Sequence, residues 1–345
     1  MTLLHKQTDK PKEPISNTAL LLTITISFFV AMYVFAMIFL GGGFLNPQQF
    51  FNIFNNNAFL MIIACGVTTV IITEGIDISV GGTVALITMT CVVFLEDYSG
   101  SIAGSIILAL SIGLGMGLIQ GFIVAYLDIQ PFIVTLGGLF FTKGMTTIVS
   151  KVPRTVTNET FLALKNFRLE IPFLGVYGKT GNLIPARIEI GAIIAIVIVL
   201  ISWIILKWSR FGRNVYAVGG NSESALMVGV NVKRTKFIAY VLSGLFAGIA
   251  GYVYLLHTGA GNAANAHQSE IEAIASSIIG GTLLTGGVGN IIGTFFGVMS
   301  LKTIKLIVVA SGLREPYWQS ITTGLMLGLF IVLQSVIILY RRNKV

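Results

Sequence analysis

The chain has 345 residues, of which 54% are hydrophobic and only 10% are charged, and its mean hydropathy is +0.87. Because soluble domains carry about 25% charged residues, this composition excludes a soluble globular protein. Apolar runs of about 20 residues recur along the chain, which predicts membrane-spanning helices and not the alternating strands of an outer-membrane barrel. The net charge of +8 comes from loops and chain ends, where basic residues orient a membrane protein, so nucleic-acid binding is not expected.

The apolar runs predict an all-α polytopic membrane protein with about ten transmembrane helices. A polar tail of residues 1–17 precedes a transmembrane domain of residues 18–340, and a short tail of residues 341–345 follows it. Cys65 and Cys91 lie inside apolar runs, where buried free thiols are expected and a disulfide or metal pair is not. The predicted spans are 18–40, 58–73, a segment ending near 94, 102–127, 131–150, 188–206, 237–256, 271–284, 291–310 and 317–339.

Basic residues place both tails and the 208–236 loop in the cytoplasm by the positive-inside rule. Two cytoplasmic ends require an even number of spans, and ten satisfies this. The same count places the 151–187 loop outside (periplasmic) although it is basic; we keep the topology because longer loops can translocate despite their charge. Spans two to five and seven to ten share a glycine-punctuated pattern, which suggests two pseudo-symmetric halves inserted in opposite directions.

Enzyme signatures are mostly absent from the sequence, and we predict no catalytic residue and no metal site. Residues 178–180, Gly-Lys-Thr, resemble the end of a phosphate-binding loop, but the first glycine of that motif would fall on Phe173. The tripeptide also lies on the predicted outer side, away from cytoplasmic ATP. The three histidines do not form a metal-binding pair of the H-E-x-x-H type. The chain is therefore not expected to bind ATP through this motif, and no cofactor is expected in it.

Glu74 and Asp77 lie at hydrophobic depth or at its edge, where ionisable groups are costly and are usually functional. Asp77, two residues before Ser79, can also accept backbone N–H groups at a helix break. We interpret both as structural or coupling carboxylates. The glycine-dense passage at residues 280–297 fits either close helix packing or a broken helix beside a pore.

The polar stretch from Trp208 to Val230 lies between two apolar runs that are long enough to cross a membrane. It contains Arg210, Arg213 and Glu223, and it is longer than a simple connection requires. We interpret it as a short helix in a loop at the membrane surface. It would receive force from an ATP-hydrolysing partner and pass that force to the spans on either side.

Four blocks carry a resemblance to a known family: EGIDISVGG (74–82), QPFIVTLGGLFFTKGM (130–145), the 209–230 stretch, and the glycine-rich block at 270–297. In this order they resemble the membrane permease of bacterial ABC importers for monosaccharides, the ribose, xylose, galactose and galactofuranose group. The resemblance covers the chain from about residue 46 onward. It implies location in the inner membrane and a second permease copy or paralogue. It also implies cytoplasmic ATP-binding subunits, which bind the ATP and Mg²⁺, and a periplasmic or lipid-anchored sugar-binding protein.

By position, the resemblance assigns seven residues to the family's cytoplasmic coupling element. They are Gly212, Arg213, Ala217, Gly219, Asn221, Ala225 and Gly229. The chain departs from the family pattern at Glu272, where aspartate is usual, at Ile271, where leucine is usual, and at Gly220, which extends a glycine pair. These departures concern which sugar is carried and not the family.

Polar groups on central helices are expected to line the sugar path. The predicted residues are Asn56 and Asn57 near the outer entrance, Thr135 on the fifth span, Thr285, and Phe132 as a stacking surface for a sugar ring. A permease of the same fold for branched-chain amino acids or a furanosyl signal molecule is the nearest alternative. Its substrate carboxylate would favour a helix N-terminus or an arginine in the path, and no arginine lies mid-span.

Two further classes remain open on the sequence alone. An ion-coupled secondary transporter would use Glu74 and Asp77 as its ion site. Whether uptake needs an ATPase or follows an ion gradient separates this class from an ATP-driven importer. A membrane-embedded enzyme is disfavoured by the missing nucleophile and metal pairs.

Overall fold

The computed structural model of the chain is a helical bundle, and it describes residues 17–41, 43–177 and 183–342. Most of the two predicted tails, and the Gly-Lys-Thr tripeptide at 178–180, lie outside the described residues. The elements, in chain order, are α1 Asn17–Phe39, α2 Pro47–Ile72, α3 Val80–Glu96, α4 Ile102–Tyr126, α5 Pro131–Val149, β1 Arg154–Thr155, α6 Glu159–Asn166, β2 Arg168–Tyr177, β3 Leu183–Glu189, α7 Ile190–Trp208, α8 Arg210–Gly220, α9 Ser222–Met227, α10 Val232–Thr258, β4 Ala260–Gly261, α11 Ser269–Ile279, α12 Ile291–Ala310 and α13 Pro316–Arg342.

Eight helices in the described part of the chain are long and apolar enough to cross a membrane: α1, α2, α4, α5, α7, α10, α12 and α13. The chain is thus an all-α polytopic membrane protein, as the composition predicts. The third and eighth predicted spans are built differently, because α3 has 17 residues and α11 only 11. Non-helical backbone at 73–79 precedes α3, and the residues between Thr258 and Ser269 before α11 form only the short strand β4 and turns.

The second span begins eleven residues earlier than predicted, because the Asn- and Gln-rich stretch before residue 58 is helical. Asn46 caps α2 by accepting a hydrogen bond from the Gln48 backbone N–H, and Pro47 occupies the first helical position, where its missing N–H costs nothing. Asn57 interrupts the helix with non-helical dihedrals (φ −123°, ψ 15°). The predicted start at residue 58 therefore coincides with this kink and not with the end of the helix.

The two halves predicted from the glycine pattern pack in a matching way. Within the first half, α3 packs on α4 and α5; within the second, α11 packs on α12 and α13. Between the halves, α10 packs on α3 and α4, and α2 packs on α11 and α12. Helices α2 and α10 run antiparallel, since Phe59 meets Tyr254 edge to face while Gly66 lies against Ser243. This arrangement agrees with two inverted halves.

Helices α4 and α10 approach closely through glycines on both sides of their contact. Gly113 and Gly117 of α4 face Gly244 and Gly248 of α10, so that a Cβ added to Gly113 would lie 2.7 Å from the Gly248 Cα. Small residues permit such backbone contact in membrane bundles, as the spacing of glycines along α4 indicates.

We expect Gly113→Ala to destabilise the bundle, whereas Gly115→Ala, on the same helix, leaves it intact. The alanine methyl at 113 overlaps the backbone of α10, and overpacking costs about 1–3 kcal/mol. No atom lies within 4 Å of a Cβ at Gly115, so alanine there gains helix propensity only. Thermal unfolding of both variants in detergent measures the difference. Equal unfolding midpoints would contradict the packing role of Gly113.

The described parts of the basic 151–187 loop (151–177 and 183–187), which was predicted to lie outside, form a small cap at one end of the bundle, which we call the hairpin end. Its β2 and β3 strands pair antiparallel, and β1 pairs with β4. Buried Asn55 of α2 holds the hairpin by donating to the Arg187 carbonyl at 3.1 Å and accepting from the Glu189 N–H at 3.0 Å. Helix α10 also ends at this cap, where Lys165 donates a hydrogen bond to the Thr258 carbonyl.

Several basic residues of this cap are paired with acids. Arg154 pairs with Asp97 at 3.5 Å and Arg187 with Glu170 at 3.0 Å. Glu189 contacts both Arg168, at 3.1 Å, and His257, at 2.7 Å. Burial alone would raise the pKa of Glu189, but the hydrogen bond and charge of His257, with the charge of Arg168, outweigh burial and lower its pKa.

Candidate functional site

The polar stretch from Trp208 to Val230 folds into two short helices, α8 and α9, and not into the single helix predicted. Each helix has its own polar N-cap: Ser209 Oγ accepts from the Gly212 N–H at 3.0 Å, and Asn221 Oδ1 accepts from the Ser224 N–H at 2.6 Å. Asn231 caps the following span α10 in the same way, accepting from the Arg234 N–H at 2.9 Å. Because every one of these helix starts is capped, the stretch is an ordered element. It lies at the end of the bundle opposite the hairpin.

Helix α8 docks directly on the bundle backbone at Gly219. A Cβ at this position would overlap the Ile72 carbonyl oxygen at the end of α2 and would lie 2.6 Å from the Gly287 nitrogen. The Gly287 N–H donates to the same Ile72 oxygen at 2.9 Å, and the Tyr216 hydroxyl donates to the Gly289 carbonyl at 3.0 Å. The helix therefore contacts one end of α2 and the 280–290 connection between α11 and α12, which belong to different halves.

The other coupling positions divide into a buried and an exposed set. Gly212 packs on the Leu206 carbonyl and Ala225 is buried, whereas Arg213, Ala217 and Gly229 are exposed. Gly229 adopts φ +84°, a conformation that side chains other than glycine rarely adopt.

The tip of α9 presents three consecutive apolar side chains to solvent. Leu226, Met227 and Val228 are 65%, 88% and 79% exposed, although the surrounding element is polar. Leu226 lines a cavity of about 620 Å³, which extends to Asp128, just after the end of α4. An exposed apolar tip of this kind is typical of a docking contact with another protein.

Glu74 and Asp77 occupy different surroundings. Asp77 is buried and accepts three hydrogen bonds, from the Ser79 N–H at 3.0 Å, the Ser79 hydroxyl at 2.7 Å and the Ser243 hydroxyl at 2.7 Å. Glu74 is exposed, has φ +65°, and packs against Gly286 near α8. The carboxylates thus act separately: Asp77 ties the broken segment 73–79 to α10, and Glu74 lies at the α8 contact.

The broken spans of the two halves meet at their helix N-termini. Gly81, in the first turn of α3, lies against the carboxylate of Glu270, in the first turn of α11. Glu270 is buried, and its Oε1 is 3.7 Å from Lys143 Nζ on α5. The partial positive charge of a helix N-terminus favours a carboxylate at this point.

Both interpretations of the glycine-dense passage find support in different parts of it. Gly280, Gly293 and Gly297 lie at backbone contacts between α11 and α12, where any side chain would clash. The 280–290 segment itself is non-helical, with Gly286 and Gly287 at φ +77° and +71°, and it contacts α8.

The predicted path residues are dispersed, and their role stays a prediction. Asn56 and Asn57 line one cavity of about 260 Å³ on α2. Thr135 is buried and donates to the Ile76 carbonyl at 3.2 Å, while Phe132 is 48% exposed at the start of α5. Thr285 is exposed on the 280–290 segment near α8.

The sequence interpretation missed Lys302 and Lys305, which lie inside the apolar helix α12. Lys302 Nζ is 2.6 Å from Glu272 Oε2, and Lys305 Nζ contacts Oε1 of the same carboxylate. Two lysines three residues apart within a predicted span are unusual enough to have marked this site, because ionisable groups in spans are rare.

Comparison with known proteins identifies the family. Residues 49–332 match the family described as the permease component of the branched-chain amino acid transport system. The chain belongs to this family.

Among its relatives, the inner membrane ABC transporter permease protein YjfF of Escherichia coli is 34% identical over 94% of both chains. The fructose import permease protein FruG of Bifidobacterium longum is 30% identical, over 85% of this chain and 84% of the relative. The galactose/methyl galactoside import permease protein MglC of Haemophilus influenzae is 31% identical, over 85% of this chain and 88% of the relative. No solved structure matches the chain.

Proposed function

We propose that this chain is the membrane permease subunit of an ATP-driven importer that carries a monosaccharide inward by alternating access. The observation that carries the proposal is the docking of α8 through Gly219 on the end of α2 and on the 280–290 segment. The relatives named for fructose and galactose import support a monosaccharide as the substrate. The protein then lies in the bacterial inner membrane, with both chain ends and α8–α9 in the cytoplasm and the hairpin end outside.

The partner that drives transport is a cytoplasmic ATP-binding subunit, which binds the ATP and Mg²⁺. The apolar tip of α9 (Leu226, Met227 and Val228) inserts into a groove of this subunit, and Arg213 can pair with acidic groups around that groove. A second permease, identical or paralogous, completes the path, and a periplasmic or lipid-anchored sugar-binding protein delivers the sugar to the hairpin end.

The contacts of α8 explain how closure of the ATP-binding subunits could move both halves. When the partner displaces α9, α8 moves with it, because Asn221 joins the two capped helices without an intervening loop. The displacement reaches α2 through the Ile72 carbonyl and reaches α11 and α12 through Gly287 and Gly289. Rigid helices that change their packing between two arrangements then open the path to one side or the other.

The alternative of an ion-coupled transporter receives no support from the carboxylates. Asp77 accepts three hydrogen bonds from its own chain, and Glu74 is exposed beside Gly286 and not beside Asp77. The two groups therefore do not converge on one ion. Coupling to the ATP-binding subunit through α8 requires no ion site in this chain and is the simpler mechanism.

We expect Met227→Asp to abolish coupling to the ATP-binding subunit. A carboxylate on the apolar tip must be desolvated when α9 docks, which costs several kcal/mol. The measurements are co-purification of the ATP-binding subunit and ATP-dependent uptake of labelled monosaccharides by the complete importer. Glu223→Gln, an exposed change on the same helix, is the control and keeps both. Uptake by Met227→Asp at the unaltered rate, or uptake that follows an ion gradient without ATP, would overturn the proposed function.

A further inference from the structure

A cluster of three charged side chains lies between α11 and α12 and carries a net positive charge. Glu272 contacts Lys302 and Lys305, one ammonium on each carboxylate oxygen, and the three side chains are only 15–17% exposed. Two positive charges and one negative charge leave a net charge of +1. Lys302 and Lys305 are 8 and 5 residues from the end of α12 at Ala310, so the cluster lies within the span. An uncompensated charge there is costly, which makes such residues functional candidates.

The two ammonium groups retain hydrogen-bonding capacity after they contact Glu272. Each ammonium has three N–H donors, and the hydrogen bonds found for these two groups within the described part of the chain go to Glu272 alone. Both lysines line the cavity of about 260 Å³ that also contains Asn56 and Asn57. The remaining donors are therefore available to a group that enters this cavity.

Most of the remaining cavity lining is suited to hydroxyl groups. Besides Asn56 and Asn57, three more carboxamides line it, Gln49 and Asn52 from α2 and Gln319 from α13, and the aliphatic side chains of Ile53, Leu306 and Val309 complete it. A carboxamide both donates and accepts, as a hydroxyl does. Among the described residues that line the cavity there is no carboxylate. The volume lies just below the range of about 300–1,000 Å³ for drug-sized ligands, which fits a single sugar ring.

We propose that this cavity binds a monosaccharide that carries a carboxylate, a sugar acid, with the carboxylate at Lys302 and Lys305 and the hydroxyls at the carboxamides. The inference rests on the proposed function and narrows its substrate class. A neutral sugar would leave the cluster's extra positive charge without a counter-ion. A branched-chain amino acid would leave the carboxamides without hydrogen-bond partners, because its side chain is apolar.

An acidic lipid headgroup offers the same combination of an anion and hydroxyl groups. The test therefore uses the full-length chain in nanodiscs of phosphatidylcholine, with phosphatidylglycerol as a separate arm. The thermal unfolding midpoint is recorded with D-galacturonate, D-glucuronate and D-gluconate, and with D-galactose and D-glucose, at equal ionic strength. A ligand that binds only the folded state raises this midpoint.

The expected result is that at least one sugar acid binds about tenfold or more tightly than its parent sugar, in phosphatidylcholine. Lys305→Gln, which leaves a neutral Lys302–Glu272 pair, should lose this preference, and Lys305→Arg should keep it. Lys151→Gln, an exposed change at the hairpin end, removes the same charge from a residue that does not line the cavity and is the matched control. The comparison of acid with parent sugar on the unaltered chain does not depend on any variant folding.

Equal midpoints for acids and parent sugars, or a rise with phosphatidylglycerol only, would overturn the inference. ATP-dependent uptake by the complete importer separates this failure from a failure of the proposed function. Uptake of neutral sugars alone, unaffected by Lys305→Gln, overturns the sugar-acid inference and leaves the importer intact. ATP-driven uptake of a sugar acid, lost in Lys305→Gln, supports both.

Discussion

Gly219→Ala is expected to abolish ATP-driven uptake while the protein still inserts into the membrane. The added methyl would overlap the Ile72 carbonyl oxygen and approach the Gly287 nitrogen, which are both backbone atoms that cannot rotate away. Helix α8 must then move off the end of α2, and its displacement no longer reaches either half. Gly219→Pro is expected to have the same effect and adds the loss of a backbone donor.

Gly220→Ala provides a matched control for this substitution. Gly220 is the next residue of the same helix, and no atom lies within 4 Å of a Cβ built there. We expect its uptake to stay within about twofold of the unaltered protein, since the change adds only helix propensity. Uptake is measured in the complete importer, together with ATP hydrolysis, which should persist in Gly219→Ala without transport. Normal uptake by Gly219→Ala would show that α8 does not transmit the motion.

Asp77→Ala is expected to cause a large loss of stability. The substitution leaves the Ser79 N–H and the Ser243 hydroxyl without their acceptor in a buried site, and each unpaired group costs about 1–3 kcal/mol. Non-helical backbone at 73–79 then loses its tie to α10, and the position of α3 is no longer determined.

Asp77→Asn separates this structural role from a role as an ion site. The amide keeps one oxygen for Ser79, and its nitrogen can donate to the Ser243 hydroxyl, which also accepts. We expect Asn at 77 to retain most of the thermal stability and ATP-dependent uptake, and Ala to lose both. The measurements are thermal unfolding in detergent and sugar uptake. Full stability with loss of ion-dependent uptake in Asp77→Asn would favour the secondary transporter instead.

The predictable features of the fold were those set by local sequence. The apolar runs predicted the positions of all ten segments to within a few residues, except at the start of α2, where a polar stretch is helical. The start of α2 was missed because Asn46 and Pro47 form a helix start that a hydropathy pattern does not detect. Helix breaks were considered at Asp77 and in the glycine-dense passage, but the short lengths of α3 and α11 were not predicted, because hydropathy does not distinguish helix from buried extended backbone.

The candidate site was predictable to different degrees. The proposed coupling residues lie close together in the chain, between 212 and 229, so a motif indicates them, and Gly219 could be chosen without a structure. Asn56 and Asn57 were predicted to line the sugar path near the outer entrance, but their cavity is completed by Lys302, Lys305 and Gln319 from helices distant in sequence. Glu272 and Lys302 are 30 residues apart, and nothing local in the sequence indicates that they pair.

The sequence by itself determined that the chain is a helical membrane protein and where most of its spans lie, and it singled out the stretch that we propose couples to a partner. Each of these follows from composition or from residues close together in the chain. The tertiary structure decided which surfaces meet: the Gly219 contact with both halves, the separation of Glu74 from Asp77, and the net positive cluster beside the carboxamides of α2. These depend on helices distant in sequence being brought together by packing, which no local pattern encodes.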